Sequence, residues 1–192
     1  MNASAIKQAM AALPAQAVAE NDHAKRGNHL DVTVAPDQVV AAVTILDGNG
    51  FFIEAITGVD WLGEKAARKK EAAAKAAAAA KAAAEAAKAA GQEPPPPPPA
   101  APAEPEGSQV DDLEVIYDFN HYETLCRVTV RTRVPRDNPA VPTISEVYAG
   151  ANWHERETHD FFGINFVGHP YLVPLLLPED ADFHPLLKDY KP

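Results

Sequence analysis

Residues 154–164 of this 192-residue chain, His154-Glu155-Arg156-Glu157-Thr158-His159-Asp160-Phe161-Phe162-Gly163-Ile164, crowd three carboxylates, two imidazoles and a guanidinium between aromatic rings. Side chains of these types can bind a metal, move protons or form ion pairs, and their spacing decides among the three. A zinc-protease helix needs histidines at i and i+4. His154 and His159 stand at i and i+5, about 140° apart on a helix, so they cannot share a metal from one regular face. Glu155, Glu157 and Asp160 have the chemistry of general acids or bases, yet no nucleophile or cofactor site accompanies them. Ion pairing remains, with Arg156 or with a basic residue of a partner. The chain has no glycine-rich phosphate loop and no G-x-S-x-G elbow, so nicotinamide, flavin and nucleotide binding have no support.

The element that must position these groups is a predicted helix from Trp153 to Phe162. At helical spacing Trp153, Glu157, Asp160 and Phe161 lie near one another, as do Glu155, His159 and Phe162. Acidic groups beside aromatic rings mark a desolvated interface in which the charges need partners. Upstream, Pro142-Thr143-Ile144-Ser145-Glu146 predicts a helix start with Thr143 as N-cap and Glu146 closing a capping box. Downstream of Gly163, prolines 170, 174, 178 and 185 forbid a regular helix and leave an extended apolar tail. Such a tail has no core of its own and must lie across this domain or across a neighbouring subunit.

Earlier segments supply a small sheet. His29 to Ala35 alternates as a short strand, Pro36-Asp37 opens a helix over Gln38 to Leu46, Asp47 to Gly50 is a turn, and Phe51 to Thr57 is an apolar strand. Leu113 to Phe119 and Leu125 to Val134 read as a hairpin around Asn120 to Thr124. In its second strand Cys126, Val128, Val130, Thr132 and Val134 share the core face, while Arg127, Thr129, Arg131 and Arg133 share the other. That arginine ladder is either a solvated sheet face or a docking face for an acidic partner.

Between the two halves of the sheet lies an insertion. Residues 63–92 hold seven basic and three acidic side chains, a balance of +4, in an alanine-rich run with high helix propensity. Residues 93–112 hold five acidic and no basic side chains, a balance of −5, around the run Pro94 to Pro99, which predicts a polyproline arm. The expected organisation is therefore residues 1–62 and 113–163 as one α+β domain, a small mixed sheet with flanking helices, interrupted by the insertion 63–112 and followed by the tail 164–192. Because the insertion joins two strands of one sheet, the expectation is that the fold survives its deletion.

Composition narrows the classes of function. Cys126 is the one cysteine, which excludes a disulfide framework and a cluster held by four thiolates of this chain. A net charge of −10 disfavours nucleic acid, whose phosphates call for a basic face. Met1 to Glu20 lacks the basic start and continuous apolar run of an export signal, and no segment reaches the roughly 18 apolar residues of a membrane span. The expected location is cytoplasmic, with membrane association only through partners.

The elements E-R-E (155–157), D-x-F-G-I (Asp160 to Ile164, with Phe161 as the variable position), Gly168-His169-Pro170 and the late H-P-L-x-K-D-Y (His184 to Tyr190) occur in one order. That order resembles the family of the 30-kilodalton subunit, or C subunit, of respiratory NADH-quinone oxidoreductase, which includes the related small subunit of membrane-bound energy-converting NiFe hydrogenases. The resemblance is weak in the first half, where Ile56 to Trp61 fits the family's strand end, and strong from Trp153 to Tyr190. It implies signature or interface roles for Trp153, Glu155, Arg156, Glu157, Asp160, Phe161 and Gly163. It implies the same for Gly168, His169, Pro170, His184, Pro185, Lys188 and Asp189.

The resemblance further implies a cofactor-free structural subunit in the hydrophilic arm of a complex-I-like assembly. Its partners would be the large 49-kilodalton-type, hydrogenase-like subunit, which the tail would wrap, and iron-sulfur subunits carrying the clusters and, in a hydrogenase, the NiFe site. The place would be peripheral, on the inner face of the cell membrane. Val173-Pro174 stands where respiratory subunits usually show paired arginines, and Leu187 where they usually show arginine. These departures tip the expectation toward an energy-converting hydrogenase, with the C subunit of NADH-quinone oxidoreductase as the alternative. A stand-alone enzyme and an adaptor acting through its proline arm are the remote alternatives.

Overall fold

The computed structural model describes residues 3–14, 17–64, 67, 70, 71, 73–75 and 112–191. The chain divides into two compact units, one of residues Met1–Trp61 with Asp112–Pro192 and one of Leu62–Asp111. The first is an α+β domain built on a five-stranded mixed sheet. Most of the second, including the proline run and much of the alanine run expected to be helical, lies outside the described residues. Within it Lys75 and Glu71 form an i,i+4 ion pair at 2.7 Å.

The domain opens with helix α1 (Ala3–Ala11) and strand β1 (Ala17–Glu20), followed by the short helix α2 (His23–Arg26) and strand β2 (Leu30–Thr33). A 3-10 turn over Pro36–Gln38 leads into α3 (Val39–Gly48), then come β3 (Phe52–Asp60), β4 (Asp112–His121) and β5 (Cys126–Pro135). The chain closes with β6 (Ala140–Pro142), α4 (Ala151–Phe162) and β7 (Asn165–Val167), where β6 and β7 pair in parallel. Among the described residues no helix is long and apolar enough to cross a membrane.

Sheet order is β1-β2-β5-β4-β3, with β2 and β5 parallel and the other neighbours antiparallel. The alternation expected along β5 holds: Cys126, Val128, Val130, Thr132 and Val134 are all buried. Leu113, Val115, Tyr117 and Phe119 of β4 continue the same face, on which α1, α3 and α4 bury Met10, Val43, Leu46 and Ala151 in one core. The insertion leaves the sheet at the end of β3 and returns at the start of β4. The two strands are antiparallel neighbours, and the N–H of Trp61 donates to the carbonyl of Asp112 at 3.0 Å.

The opposite face carries the arginine ladder, and the sheet itself neutralises much of it. Arg127 pairs with Glu54 of β3 at 2.5 Å, Arg131 with Asp31 of β2 at 2.9 Å, and Arg133 stands 3.7 Å from Glu114 of β4. Trp61 donates its indole N–H to Glu114 at 2.9 Å and lies beneath the Arg133 guanidinium. The reversal of sign seen along one strand is thus balanced by acids on its neighbours.

Two expectations need correction. The first twenty residues, for which the sequence suggested no element, contain α1 and β1, and the helix buries Ile6 and Met10 in the core. Thr143 does not begin a helix: the segment makes a single turn, in which the N–H of Tyr148 reaches the carbonyl of Ile144 at 2.9 Å. The partner at that turn is Glu155, not Glu146. The tail, for which both this domain and a neighbouring subunit were open, lies over α4 and the end of β3, where buried acids of this domain hold its backbone.

Candidate functional site

Helix α4 rests on β3 where the chain has no side chain. A Cβ at Gly58 would collide with the ring of Phe162, so glycine is what lets the last turn of the helix approach the strand. The inward stripe of α4 is Ala151, Glu155 and Thr158, spaced i, i+4 and i+7 as a packed helix face requires. Two of its three members are polar, and each burial therefore needs a partner.

Glu155 is fully buried. One carboxyl oxygen accepts the N–H of Ile144 at 2.7 Å and the other lies 2.5 Å from the hydroxyl of Thr143. Burial pushes its carboxyl up to about 7, although both hydrogen bonds act in the opposite direction. The ring of His169, from the Gly168-His169-Pro170 element, has Nε2 3.8 Å from Glu155 and 3.3 Å from the carbonyl of Asn152, while Nδ1 accepts the N–H of Tyr171 at 3.1 Å. That pattern assigns the proton to Nε2, and burial holds the imidazole below its ordinary range. Beside them Tyr117 is buried, and desolvation together with the nearby Glu155 raises its phenol well above the usual value.

Asp160 and Arg156 face the tail and read its backbone. One carboxyl oxygen of Asp160 accepts three consecutive N–H groups, of Leu175, Leu176 and Leu177, at 2.8, 2.7 and 3.2 Å. Arg156 donates to the carbonyls of Val173 and Pro174, each at 3.0 Å. Its guanidinium lies 5.4 Å from the ring centres of both Trp153 and Tyr171. Pro174 has no N–H to satisfy, so a carbonyl-seeking arginine followed by an N–H-seeking carboxylate meets the polar needs of residues 173–177 in order. The ion pairing expected of these acids within the helix is thus replaced, at Asp160, by charge-assisted bonds to backbone.

The helix end is closed by the same tail. Gly163 takes φ 71° and caps α4 through its N–H to the carbonyl of His159. The last carbonyls of a helix lack partners within it. Here those of Asp160 and Phe161 receive the ring of His184 at 2.8 Å and the N–H of Leu186 at 3.2 Å. Further on, Asp60 at the end of β3 accepts the N–H of Lys188 at 2.8 Å and pairs with Arg136 at 2.5 Å, and Arg136 also pairs with Asp189. Asp60 and Arg136 escaped the sequence reading. A carboxylate on the core face of a strand, two positions beyond Gly58 and four beyond Ile56, was the available signal.

The structure therefore gathers Glu155, Arg156, Asp160, Gly163, His169, His184, Lys188 and Asp189 into contacts within the domain. Pro185 and Phe161 are half-buried beside them, whereas Gly168 and Pro170 are exposed. Trp153 is 61% and Tyr171 63% exposed. Glu157, one turn from Trp153, is half-buried, and its side chain has no hydrogen bond or ion pair among the described residues. No group of three or more His, Cys, Asp or Glu side chains among the described residues is placed to hold a metal ion.

Comparison with known proteins bears on the family and the fold. The NADH-quinone oxidoreductase C subunit of Roseiflexus castenholzii is 47% identical over 76 residues, 40% of this chain and 44% of that relative. The F(420)H(2) dehydrogenase C subunit of Methanosarcina mazei is 43% identical over 84 residues, 43% of this chain and 53% of that relative. The chain thus spans about half the length of these curated relatives. Two solved structures share the fold. A trypsin-resistant fragment of Nqo5 has a TM-score of 0.56 at 22% identity, covering 90% of this chain and all of the fragment. A chain of the archaeal membrane-bound sulfane sulfur reductase has a TM-score of 0.63 at 21% identity, covering 98% of this chain and 84% of that one. The family model described as respiratory-chain NADH dehydrogenase, 30 Kd subunit, matches residues 32–192. With its signature helix, tail and most of its sheet inside that match, the chain belongs to the 30 Kd subunit family of the respiratory-chain NADH dehydrogenase.

Proposed function

We propose that this chain is a structural subunit of the peripheral arm of a complex-I-like, membrane-bound oxidoreductase, where it braces the large 49-kilodalton-type subunit. The observation that carries this reading is the use of the signature. Glu155, Arg156 and Asp160 are spent on the chain's own turn and tail, and what is left facing outward is Trp153, Tyr171 and Glu157, which has no partner among the described residues. Aromatic anchors around a carboxylate suit a protein interface rather than a reaction centre. Leu176, Phe183 and Leu186 of the tail are also exposed apolar side chains, at 59%, 37% and 52%.

Electrons in such an assembly pass through iron-sulfur clusters of partner subunits, and this chain fixes the geometry of the neighbour that receives them. Membrane attachment comes through those partners, on the cytoplasmic side. The names of the relatives, C subunits of NADH-quinone oxidoreductase and of F(420)H(2) dehydrogenase, support a dehydrogenase-type assembly. A NiFe hydrogenase is the second reading, and it rests on Val173-Pro174 and Leu187.

Affinity purification of the tagged chain from its native host tests the proposal. The expected result is co-purification with a large subunit and cluster-bearing partners, identified by mass spectrometry and by the absorbance of their clusters. Stoichiometric metal binding or substrate turnover by the chain purified alone would overturn it. Nickel in the purified assembly would select the hydrogenase branch.

A further inference from the structure

The sheet face opposite the helices carries a depression of about 270 Å³ that the signature does not involve. Its floor is Thr129, Asp118 and Ile116, and its rim brings together three arginines, Arg26, Arg127 and Arg131. The floor is held by a chain of hydrogen bonds. Asn21 donates to Asn28 at 2.8 Å, Asn28 to the hydroxyl of Thr129 at 2.9 Å, and that hydroxyl to Asp118 at 2.7 Å. Arg127 reaches the carbonyl of Gly27 at 3.4 Å, which ties the end of α2 over the sheet.

Two of the three guanidiniums are compensated, Arg127 by Glu54 and Arg131 by Asp31 and, at 3.8 Å, by Glu114, while Asp118 accepts the hydroxyl of Thr129. The side chain of Arg26 has no hydrogen bond or ion pair among the described residues, and the residue is exposed. Arg26 is thus the uncompensated cation at the rim, and on a chain of net charge −10 it is a local point of attraction for an anion. The volume falls below the roughly 300–1,000 Å³ of small-molecule sites and suits one side chain.

We propose that this depression receives an acidic side chain of a neighbouring subunit, with Arg26 as the cation that meets it. The proposal rests on the assembly put forward above. Arg26 supplies a planar fork for the carboxylate, and Ile116 and Thr57 in the lining offer a bed for the methylenes. This contact lies on the sheet face that α4 and the tail do not cover, so it gives the chain a second point of attachment.

A single variant tests it in the intact complex. Arg26→Lys keeps the charge and supplies an amine that a water-soluble carbodiimide joins to a carboxylate in ion-pair contact. The expected result is a carbodiimide-dependent amide between position 26 and an Asp or Glu of another subunit, found by mass spectrometry. A complex that retains the variant yet yields amides only to acids of this chain, or none, would overturn the inference and leave the assembly reading standing. A tagged chain that brings down no partner would remove both. As a second measurement, Arg26→Ala should weaken retention of the subunit roughly tenfold in a salt titration, the scale of one charge-assisted contact. Retention equal to wild type would count against the proposal.

Discussion

Oδ2 of Asp160 lies 2.7 Å from the backbone nitrogen of Leu176, and it also accepts the N–H groups on either side. One buried carboxylate therefore fixes three residues of a segment that has no regular structure of its own. Asp160→Asn replaces a charged acceptor by a neutral one and turns donors toward donors. The expected loss is about 1.5–3 kcal/mol of local stability, read as faster hydrogen exchange of the amides of Leu175 to Leu177 with little change in the sheet. Unaltered protection of those amides would show that the tail is held by something else.

Glu155 makes stability depend on pH with a sign opposite to that of an ordinary salt-bridged acid. Its folded value of about 7 lies above the ordinary 4.5. As pH rises through that window, the unfolded chain releases the proton first and the folded state loses about 3 kcal/mol. The effect is complete above pH 7 and absent below the ordinary value. His169, held below its usual range, acts the other way, because the unfolded imidazole gains its proton first as pH falls. The clean measurement is therefore the difference between wild type and Glu155→Gln in urea unfolding. It should shift in favour of the variant by about 3 kcal/mol between about pH 4.5 and pH 7. Parallel pH profiles would refute it.

Gly163 and Gly27 both cap helices with positive φ, at 71° and 77°. A Cβ at Gly163 would stand 2.7 Å from the His184 ring, whereas at Gly27 it would meet nothing within 4 Å. Gly27→Ala should cost only the backbone term of about 1 kcal/mol. Gly163→Ala should cost about 2–3 kcal/mol, because the His184 contact with α4 has to yield as well. Equal losses in thermal unfolding would mean that His184 moves aside freely.

The insertion should be dispensable for folding. Trp61 and Asp112 already face each other across β3 and β4, so an Asn-Gly turn in place of residues 62–111 closes an ordinary hairpin. The shortened chain should keep its unfolding free energy to within about 1 kcal/mol. Failure to express as a folded monomer would assign the insertion a structural role.

Period and alternation were enough to locate β2 to β5, α3 and α4, since each carries its apolar residues at a spacing that one face dictates. The parallel pairing of β2 with β5 was not legible, because register between distant segments depends on which strands meet, not on either strand alone. The alanine-rich start hid α1, whose anchors Ile6 and Met10 are separated by small and polar residues that fit a linker equally well. The contacts of Glu155 and Asp160 were not legible for a related reason. Ion pairing was the expectation for both acids, whereas Glu155 stands in step with Ala151 and Thr158 on the buried stripe and meets Thr143 and Ile144. A periodic stripe scored by position, without regard to polarity, finds it. The partners of Asp160 could not be found this way, because they are backbone groups of a proline-rich tail.

Under the proposed function, the signature helix holds its own tail with one set of residues and a partner with another. Glu157→Lys separates the two, since Glu157 has no partner among the described residues whereas its neighbours Glu155, Arg156 and Asp160 are committed within the domain. The measurement is the yield of the large partner protein recovered with the variant, beside the thermal unfolding of the variant alone. The expected result is stability within about 0.5 kcal/mol of wild type and at least a roughly tenfold loss of recovered partner, the scale of one buried charge reversal at an interface. A variant that folds normally and assembles at the wild-type level would contradict it.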